Sequence, residues 1–307
     1  MKNSSPLAQT DHRPWPRPAA PWVMAQSWHD LLFAHWPISP ALLRPWVPSI
    51  LDLDTFDGMA WIGVVPFRMS GVRPRGLPAV PWLSAFPELN VRTYVRHPSS
   101  PDRPGVYFFS LDAANPVAVA IARAVFHLPY FRADMAAVPQ DEEMAYRSVR
   151  THAGVAVGEF AGVYGPSGPV YAARPGDLDH WLTERYCLYA VSPFHSQPQP
   201  QPGAWRLWRS EIHHLPWPLQ PAHARLEVNT VAQSLGDVES LAGYPVGMTH
   251  GSVSDDMKEK QGVSPSLIRL SIGVEDVEDI LEDLTRALEK VRGSHLGSKS
   301  CHDERTR

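Results

Sequence analysis

Lysine is missing from most of this sequence. The five present are Lys2, Lys258, Lys260, Lys290 and Lys299, so residues 3–257 contain none. Schiff-base chemistry needs a primary amine of depressed pKa, and that stretch has no side chain to supply one. Cysteine is rarer still. Cys187 and Cys301 are too few for a disulfide framework and lack metal-ligand spacing. No apolar run reaches the roughly 20 residues of a membrane-spanning helix; MAWIGVVPF at residues 59–67 falls well short. The first residues, MKNSSPLAQTDHRPWPRPAAP, lack the apolar segment of a secretory signal, so a cytoplasmic location is expected. No GxSxG, HExxH or Walker loop occurs, and no GxGxxG follows a strand. The net charge is −4 with no basic stripe, which argues against nucleic acid and against a membrane as partners.

Proline and tryptophan are abundant. The chain has 32 prolines, and its 11 tryptophans all precede residue 218. Beyond about residue 231 it becomes charged and helix-patterned. This shift divides the chain into a disordered, proline-rich N-terminus (1–20), a main domain (21–230), a C-terminal segment (231–292) and a disordered tail (293–307).

Periodicity sketches the main domain. SPALLRPW, with serine as cap and proline at the first helical position, predicts a short helix over residues 40–47. Residues 59–67 read as a strand buried on both faces. In ELNVRTYV, residues 88–95, Glu88, Asn90, Arg92 and Tyr94 share one face and Leu89, Val91, Thr93 and Val95 the other. A strand over 106–112 precedes a helix capped by Asn115 with Pro116 at N1, apolar all round except for Arg123, and therefore expected to be buried. Short strands at 131–135, 144–151, 155–164, 185–190, 206–213 and 224–229, with a short helix at 177–184, predict a mainly β fold whose antiparallel sheet is closed or nearly closed.

The candidate residues follow from this layout. Glu88, Asn90 and Arg92 set an acid, an amide and a guanidinium about 7 Å apart in steps along one strand face, which is either solvated or directed into a cavity. Arg123 is either paired with a buried acid such as Asp112 or Glu88, or aimed into that cavity. His127 is either an acid–base group or a helix C-terminal histidine favoured by the dipole. His213 and His214 point to opposite strand faces, and His29 and His35 lack a third ligand, so no metal site is expected. Trp61, Tyr94, Tyr107 and Phe109 are candidates for an apolar ligand wall.

The segments HWPISPALLRPWVPSILDLDTFDGMAWIGVVPFRMSGVRPRGLP, FPELNVRTYV, GVYFFSLDAANPVAVAIARAVFHLPYFRADM, ERYCLYA and EIHHLPWPLQPAHARLEVNT together resemble the YqjF-like family, a domain of unknown function, over residues 28–230. That family in turn resembles the acetoacetate-decarboxylase-like fold. The implied fold class is mainly β with α, an antiparallel β-barrel enclosing a cavity, plus a small α/β C-terminal fragment. The resemblance puts Glu88 near the decarboxylase site; Glu88, Arg92 and Arg123 are the catalytic candidates, and Asn90, Tyr94, Phe109, His127 and Tyr130 the candidate cavity residues. The decarboxylases carry their lysines in the turn that here reads LPYFRA; this chain has Tyr130 and Phe131 there, which excludes Schiff-base decarboxylation.

SLGDVESL, YPVGMTH and SLIRLSIGVED, in that order within residues 231–290, resemble the C-terminal end of the Cys/Met-metabolism pyridoxal-phosphate enzymes, the sulfhydrylases and cystathionine synthases and lyases. By that resemblance Ser234 and Arg269 form a vestigial substrate-carboxylate site. The cofactor's lysine does not come with them, so no cofactor is expected and the tail reads as an incomplete, inactive fragment fused to the first domain. The expected partner is a small carboxylate or carbonyl compound. The alternatives are acid–base catalysis on such a compound, or a transsulfuration-type protein whose tail docks on an oligomeric pyridoxal-phosphate paralogue.

Overall fold

The computed structural model describes residues 8–192, 206–229, 241–243 and 269–271. Two compact units divide the chain, Met1–Leu235 and Gly236–Arg307. In chain order the first contains strands β1 (Met24–His29) and β2 (Ala34–Ile38), helix α1 (Pro40–Leu43), and strands β3 (Asp52–Leu53), β4 (Ala60–Pro74), β5 (Phe86–His97) and β6 (Ser100–Ala113). Helix α2 (Pro116–Phe126) leads to β7 (Tyr130–Gln140), β8 (Glu143–Arg150), β9 (Glu159–Pro166) and β10 (Tyr171–Ala172). Helix α3 (Leu178–Thr183) precedes β11 (Cys187–Ser192), β12 (Arg206–Glu211), β13 (Pro218–Leu219) and β14 (Ala222–Asn229). In the second unit the described residues are β15 (Leu241–Gly243) and β16 (Arg269–Ser271), paired antiparallel. The expected helix at the end of the tail lies outside the described residues.

The fold is mainly β. One sheet of 12 strands runs β1-β4-β5-β6-β7-β8-β9-β14, with β2 added to β4, β3 to β5, and β11 and β12 branching from β6. Its pairings are antiparallel except β6 with β7 and β6 with β11. Sequence alternation produces this sheet directly. Val64, Leu89 and Val91 point one way and pack on Met144, Tyr146, Phe160 and Tyr164 of the β8–β9 limb. Val65, Phe67 and Phe86 point the other way, toward Val119 and Tyr130. The sheet thus turns back on itself and buries one face between its two limbs, where apolar area gains about 25 cal/mol per Å² removed from water.

The expected barrel is not closed. β1 and β14 end the strand path, whereas a barrel needs every edge paired. The limbs are instead tied by side chains. The Tyr146 hydroxyl donates to the Glu88 carbonyl at 2.8 Å, and the Tyr164 hydroxyl donates to the Asp30 carbonyl at 2.8 Å.

Three local expectations are corrected. α2 begins as predicted, with Asn115 Oδ1 accepting from the backbone N–H of Val117 and Ala118 at 3.0 Å each. It is not buried, however: only Val119 is enclosed, while Val117, Ile121 and Val125 are exposed. The helix lies on the sheet with a single side, so an all-apolar surface leaves an apolar exterior. The N-terminus is not disordered over residues 8–20 in full, because Arg13 and Trp15 are buried. Arg13 Nη1 donates to the Ile212 carbonyl at 2.5 Å and Trp15 Nε1 to Glu211 at 2.8 Å. These partners lie 199 and 196 residues further along the sequence, so composition alone could not reveal them. The strand at 59–67 is also longer than expected, reaching Pro74.

Candidate functional site

β5 is the middle strand of the sheet's best-covered region, and both of its faces are buried from Glu88 to Val95. The solvated alternative for Glu88, Asn90 and Arg92 therefore does not apply. Their face is turned away from the β8–β9 limb and lies under the start of β7, helix α3, and residues 33–35. Phe67 and Ala113 flank Glu88, Val65 and Leu111 flank Asn90, and Gly63 and Phe108 flank Arg92.

Glu88 is almost fully buried, at 2% exposure. Its carboxyl accepts hydrogen bonds from the Tyr130 hydroxyl and the Asn90 amide. Burial pushes its pKa to about 8, against the pull of those two donors, and the Asp112 carboxyl adds to the rise. Glu88 is thus neutral through most of the physiological range. Burial, with Glu88 beside it, also raises the Tyr130 phenol well above its ordinary value, so Tyr130 stays a donor.

Arg92 Nη2 donates to the Tyr94 hydroxyl at 3.2 Å, and its guanidinium lies 5.3 Å over the Phe33 ring. The same hydroxyl meets His35 Nε2 at 2.6 Å. Burial, with Arg92 nearby, lowers the His35 pKa to about 3, opposed by a hydrogen bond to the Phe33 backbone. A neutral His35 that gives its Nδ1 proton to that backbone must accept at Nε2. The polarity of the row is then fixed: Arg92 donates to Tyr94, and Tyr94 donates to His35. Beyond Tyr94, Arg185 lies 4.7 Å over its ring and pairs with the buried Asp54 at 2.6 Å.

Gly63 makes the contact between His35 and Tyr94 possible. It stands between His35 on β2 and Arg92 on β4's other side. A Cβ there would sit 2.8 Å from His35 Nε2 and 3.3 Å from Arg92 Cγ. Gly63→Ala is expected to displace the imidazole and cost about 1–3 kcal/mol, read as a shift in the urea midpoint. A loss below about 0.5 kcal/mol would mean that the row is not tightly held.

Glu88, Asn90, Arg92, Tyr94 and Tyr130 are thus brought together. Phe109 is not. A register shift between Val91 and Arg92 inserts one extra residue in β6, which leaves Phe109 on the opposite face, against Tyr107 at 5.6 Å. Arg123 points along the edge, where its Nη1 donates to the Tyr130 carbonyl at 2.7 Å and its guanidinium lies 5.5 Å from the Phe131 ring. The acid once considered for it, Asp112, takes Arg150 at 2.8 Å. His127 ends α2 in the left-handed region, φ 54°, and stacks on Trp208 at 5.3 Å. Ser234 lies outside the described residues, and Arg269 is described only through its strand pairing with Gly243. Sequence reasoning missed His35, Arg185 and Asp54. The signal for His35 was the lone glycine in an apolar strand, which marks a close approach.

Three buried polar atoms of this face have no hydrogen-bond partner among the described residues: Glu88 Oε2, Asn90 Oδ1 and Arg92 Nε. They stand at alternate positions of one strand. Buried polar groups are nearly always satisfied, so the row is chemically incomplete by itself.

A family profile described as DUF2071, an uncharacterized conserved protein, matches residues 25–250, and one described as Cys/Met metabolism PLP-dependent enzyme matches residues 218–289. The uncharacterized protein YqjF of Bacillus subtilis is 45% identical over 215 residues, covering 70% of this chain and 82% of that protein. Cystathionine gamma-lyase of the same species is 47% identical over 66 residues, 22% of this chain but 17% of that enzyme. The human cystathionine gamma-lyase is 51% identical over 73 residues, 23% of this chain and 18% of that enzyme. The chain therefore spans less than a fifth of each of these two lyases. Among solved structures, an acetoacetate decarboxylase from Legionella pneumophila superposes with a TM-score of 0.44 at 14% identity, covering 72% of this chain and 81% of that one. An acetoacetate decarboxylase-like enzyme from Sphingomonas wittichii gives 0.45 at 15%, covering 69% and 82%.

Proposed function

The chain belongs to the DUF2071 family, as the match over residues 25–250 and the 45% identity to YqjF establish, and from that premise we propose that it binds a small carboxylate or carbonyl compound against the Glu88–Arg92 face of β5. The observation carrying this reading is the row of unpartnered buried atoms on Glu88, Asn90 and Arg92. A neutral Glu88 offers an O–H donor at Oε2, Asn90 an amide acceptor, and Arg92 a cationic N–H donor. A carbonyl oxygen suits the first, a hydroxyl or enol the second, and a carboxylate the third.

A second reading, acid–base catalysis on the same compound, is favoured by one observation. The Glu88 pKa of about 8 lies close to a working pH, where a side chain both gives and takes a proton efficiently. In that case Glu88 acts as acid or base and Arg92 holds the anion.

Pyridoxal phosphate does not fit the described residues. Its aldehyde needs a lysine, and none of residues 8–192 or 206–229 is one. The tail is read as a fragment without its own cofactor, fused to the DUF2071 domain. Docking of that fragment on an intact pyridoxal-phosphate enzyme is the corresponding partner proposal, to be tested by pull-down with and without residues 231–307.

The test of the main reading is native mass spectrometry of the purified chain, followed by calorimetric titration with pyruvate, acetate, acetoacetate and acetone. Arg92→Met is expected to weaken the carboxylates about 10- to 100-fold, because a charge-assisted bond is lost, and to leave acetone within about threefold. Equal affinities for wild type and Arg92→Met would sink the proposal.

A further inference from the structure

Between β4 and β5 the chain projects outward, with every residue from 74 to 82 exposed. Trp82 is 67% and Leu77 59% exposed. The projection is nevertheless folded. Leu77 N–H donates to the Pro74 carbonyl at 3.2 Å and Ser84 N–H to the Val80 carbonyl at 3.0 Å. Prolines at 74, 78 and 81 restrict it further. Trp82 adopts φ 58°, a conformation that bulky side chains rarely take. The buried Asn115 holds it there, donating from Nδ2 to the Trp82 carbonyl at 2.9 Å while its Oδ1 caps α2. Arg75 N–H donates to the Val23 carbonyl at 3.0 Å, and Met24 pairs with Pro74. Val23, Met24, Leu77, Val80 and Trp82 therefore form one exposed apolar patch on a fixed frame, and such patches mark interaction surfaces.

The segments that carry it hold arginines and no acid. Residues 58–87 contain Arg68, Arg73 and Arg75 and no acid, and residues 12–29 and 113–133 contain no acid either. Arg68 is paired with Asp30. Arg73 and Arg75 flank the projection; Arg75 is exposed, and Arg73 is half-buried with its Nη1 donating to the Gly71 carbonyl at 3.1 Å. The chain's net charge of −4 pointed away from a membrane, but the local balance is the reverse.

We propose that this patch docks the protein on an anionic phospholipid surface. Trp82 and Leu77 enter the interfacial layer, where an indole ring is well accommodated, and Arg73 and Arg75 face the headgroups. A second copy of the chain is a poorer occupant. A two-fold interface sets a patch against itself, which would bring arginines together with no acid opposite them. A segment exposed along residues 74–82 encloses no small ligand, whereas a lipid interface yields to it.

The test is co-sedimentation of the full chain with phosphatidylcholine vesicles, with and without phosphatidylglycerol. Binding is expected only with phosphatidylglycerol, weakened by salt. Leu77→Ser/Trp82→Gly is expected to reduce it about tenfold or more; glycine accepts the Trp82 backbone conformation. Arg73→Gln/Arg75→Gln should give a similar loss without touching the apolar contacts, with circular dichroism and melting checking that both variants are folded. Failure to sediment above the lipid-free control would overturn the proposal, as would equal binding by either folded variant. A lipid-free dimer, seen by light scattering and dissolved by Leu77→Ser/Trp82→Gly, would assign the patch to a second copy and overturn it equally.

Discussion

Glu88→Gln is expected to remove a contribution to stability that falls between about pH 4.5 and 8, read from urea unfolding free energies at half-unit pH steps. The folded Glu88 carboxyl has a pKa of about 8 against an ordinary 4.5. Over that interval the folded state binds more protons than the unfolded state, so stability is fully present below 4.5 and is lost as pH rises through 8. The slope approaches about 1.4 kcal/mol per pH unit, and the total is on the order of 3–5 kcal/mol. Asn90, Tyr130 and Asp112 act on this carboxyl, and glutamine keeps the neutral shape they surround.

His35 contributes with the opposite sign. Its pKa falls from 6.5 to about 3, so the unfolded state binds more protons between those values and stability rises with pH. The two effects offset one another from about pH 4.5 to 6.5, where wild type should be nearly flat in this contribution. Glu88→Gln unmasks the His35 rise and abolishes the decline above 6.5. Parallel curves for the two proteins would mean that Glu88 ionises normally and that the site is wetter than its burial implies.

Asp54→Ala is expected to cost about 3–5 kcal/mol, because it leaves a buried guanidinium without its counter-charge. Asp54 Oδ2 takes Arg185 Nη1 at 2.6 Å with both side chains 5% exposed, and Oδ1 takes Arg96. Arg185 also donates from Nε to the Trp181 carbonyl at 2.6 Å and lies 4.2 Å over the Trp181 ring. Removing both charges, as Asp54→Ala/Arg185→Met, should recover much of the loss, since paired burial is close to neutral against an apolar replacement. A single-variant loss below about 1 kcal/mol would place this pair with ordinary surface bridges. Because Arg185 stacks on Tyr94, the single variant should also weaken carboxylate binding at Arg92.

Local features were the most legible in sequence. Asn115 and Pro116 announced the start of α2 because capping involves only the next few residues. Alternation in β5 placed Glu88, Asn90, Arg92 and Tyr94 on one face for the same reason. What depended on distant partners was not legible. Phe109, a candidate for the ligand wall, lies on the opposite face because a bulge in β6 breaks the two-residue count. His35 was set aside for want of the further ligands a metal needs, and nothing near it in sequence shows that its neighbours are Gly63 and Tyr94 on other strands. The apolar surface of α2 suggested burial, but a helix laid on a sheet needs only one buried side, and Val119 supplies it. The membership of the DUF2071 family was carried by the motifs of residues 28–230, and barrel closure was not.

The seat of the N-terminal segment sets a schedule for synthesis. Trp15 and Arg13 dock on Glu211, across sequence separations of 196 and 198 residues. At about 5–20 residues per second of translation, roughly 10–40 s pass between the emergence of Trp15 and that of its partner. During that interval the indole has no home on the nascent chain. Trp15 and Arg13 leave the ribosome well before Glu211 and wait for it, and chaperones that shield exposed aromatics have their opening there.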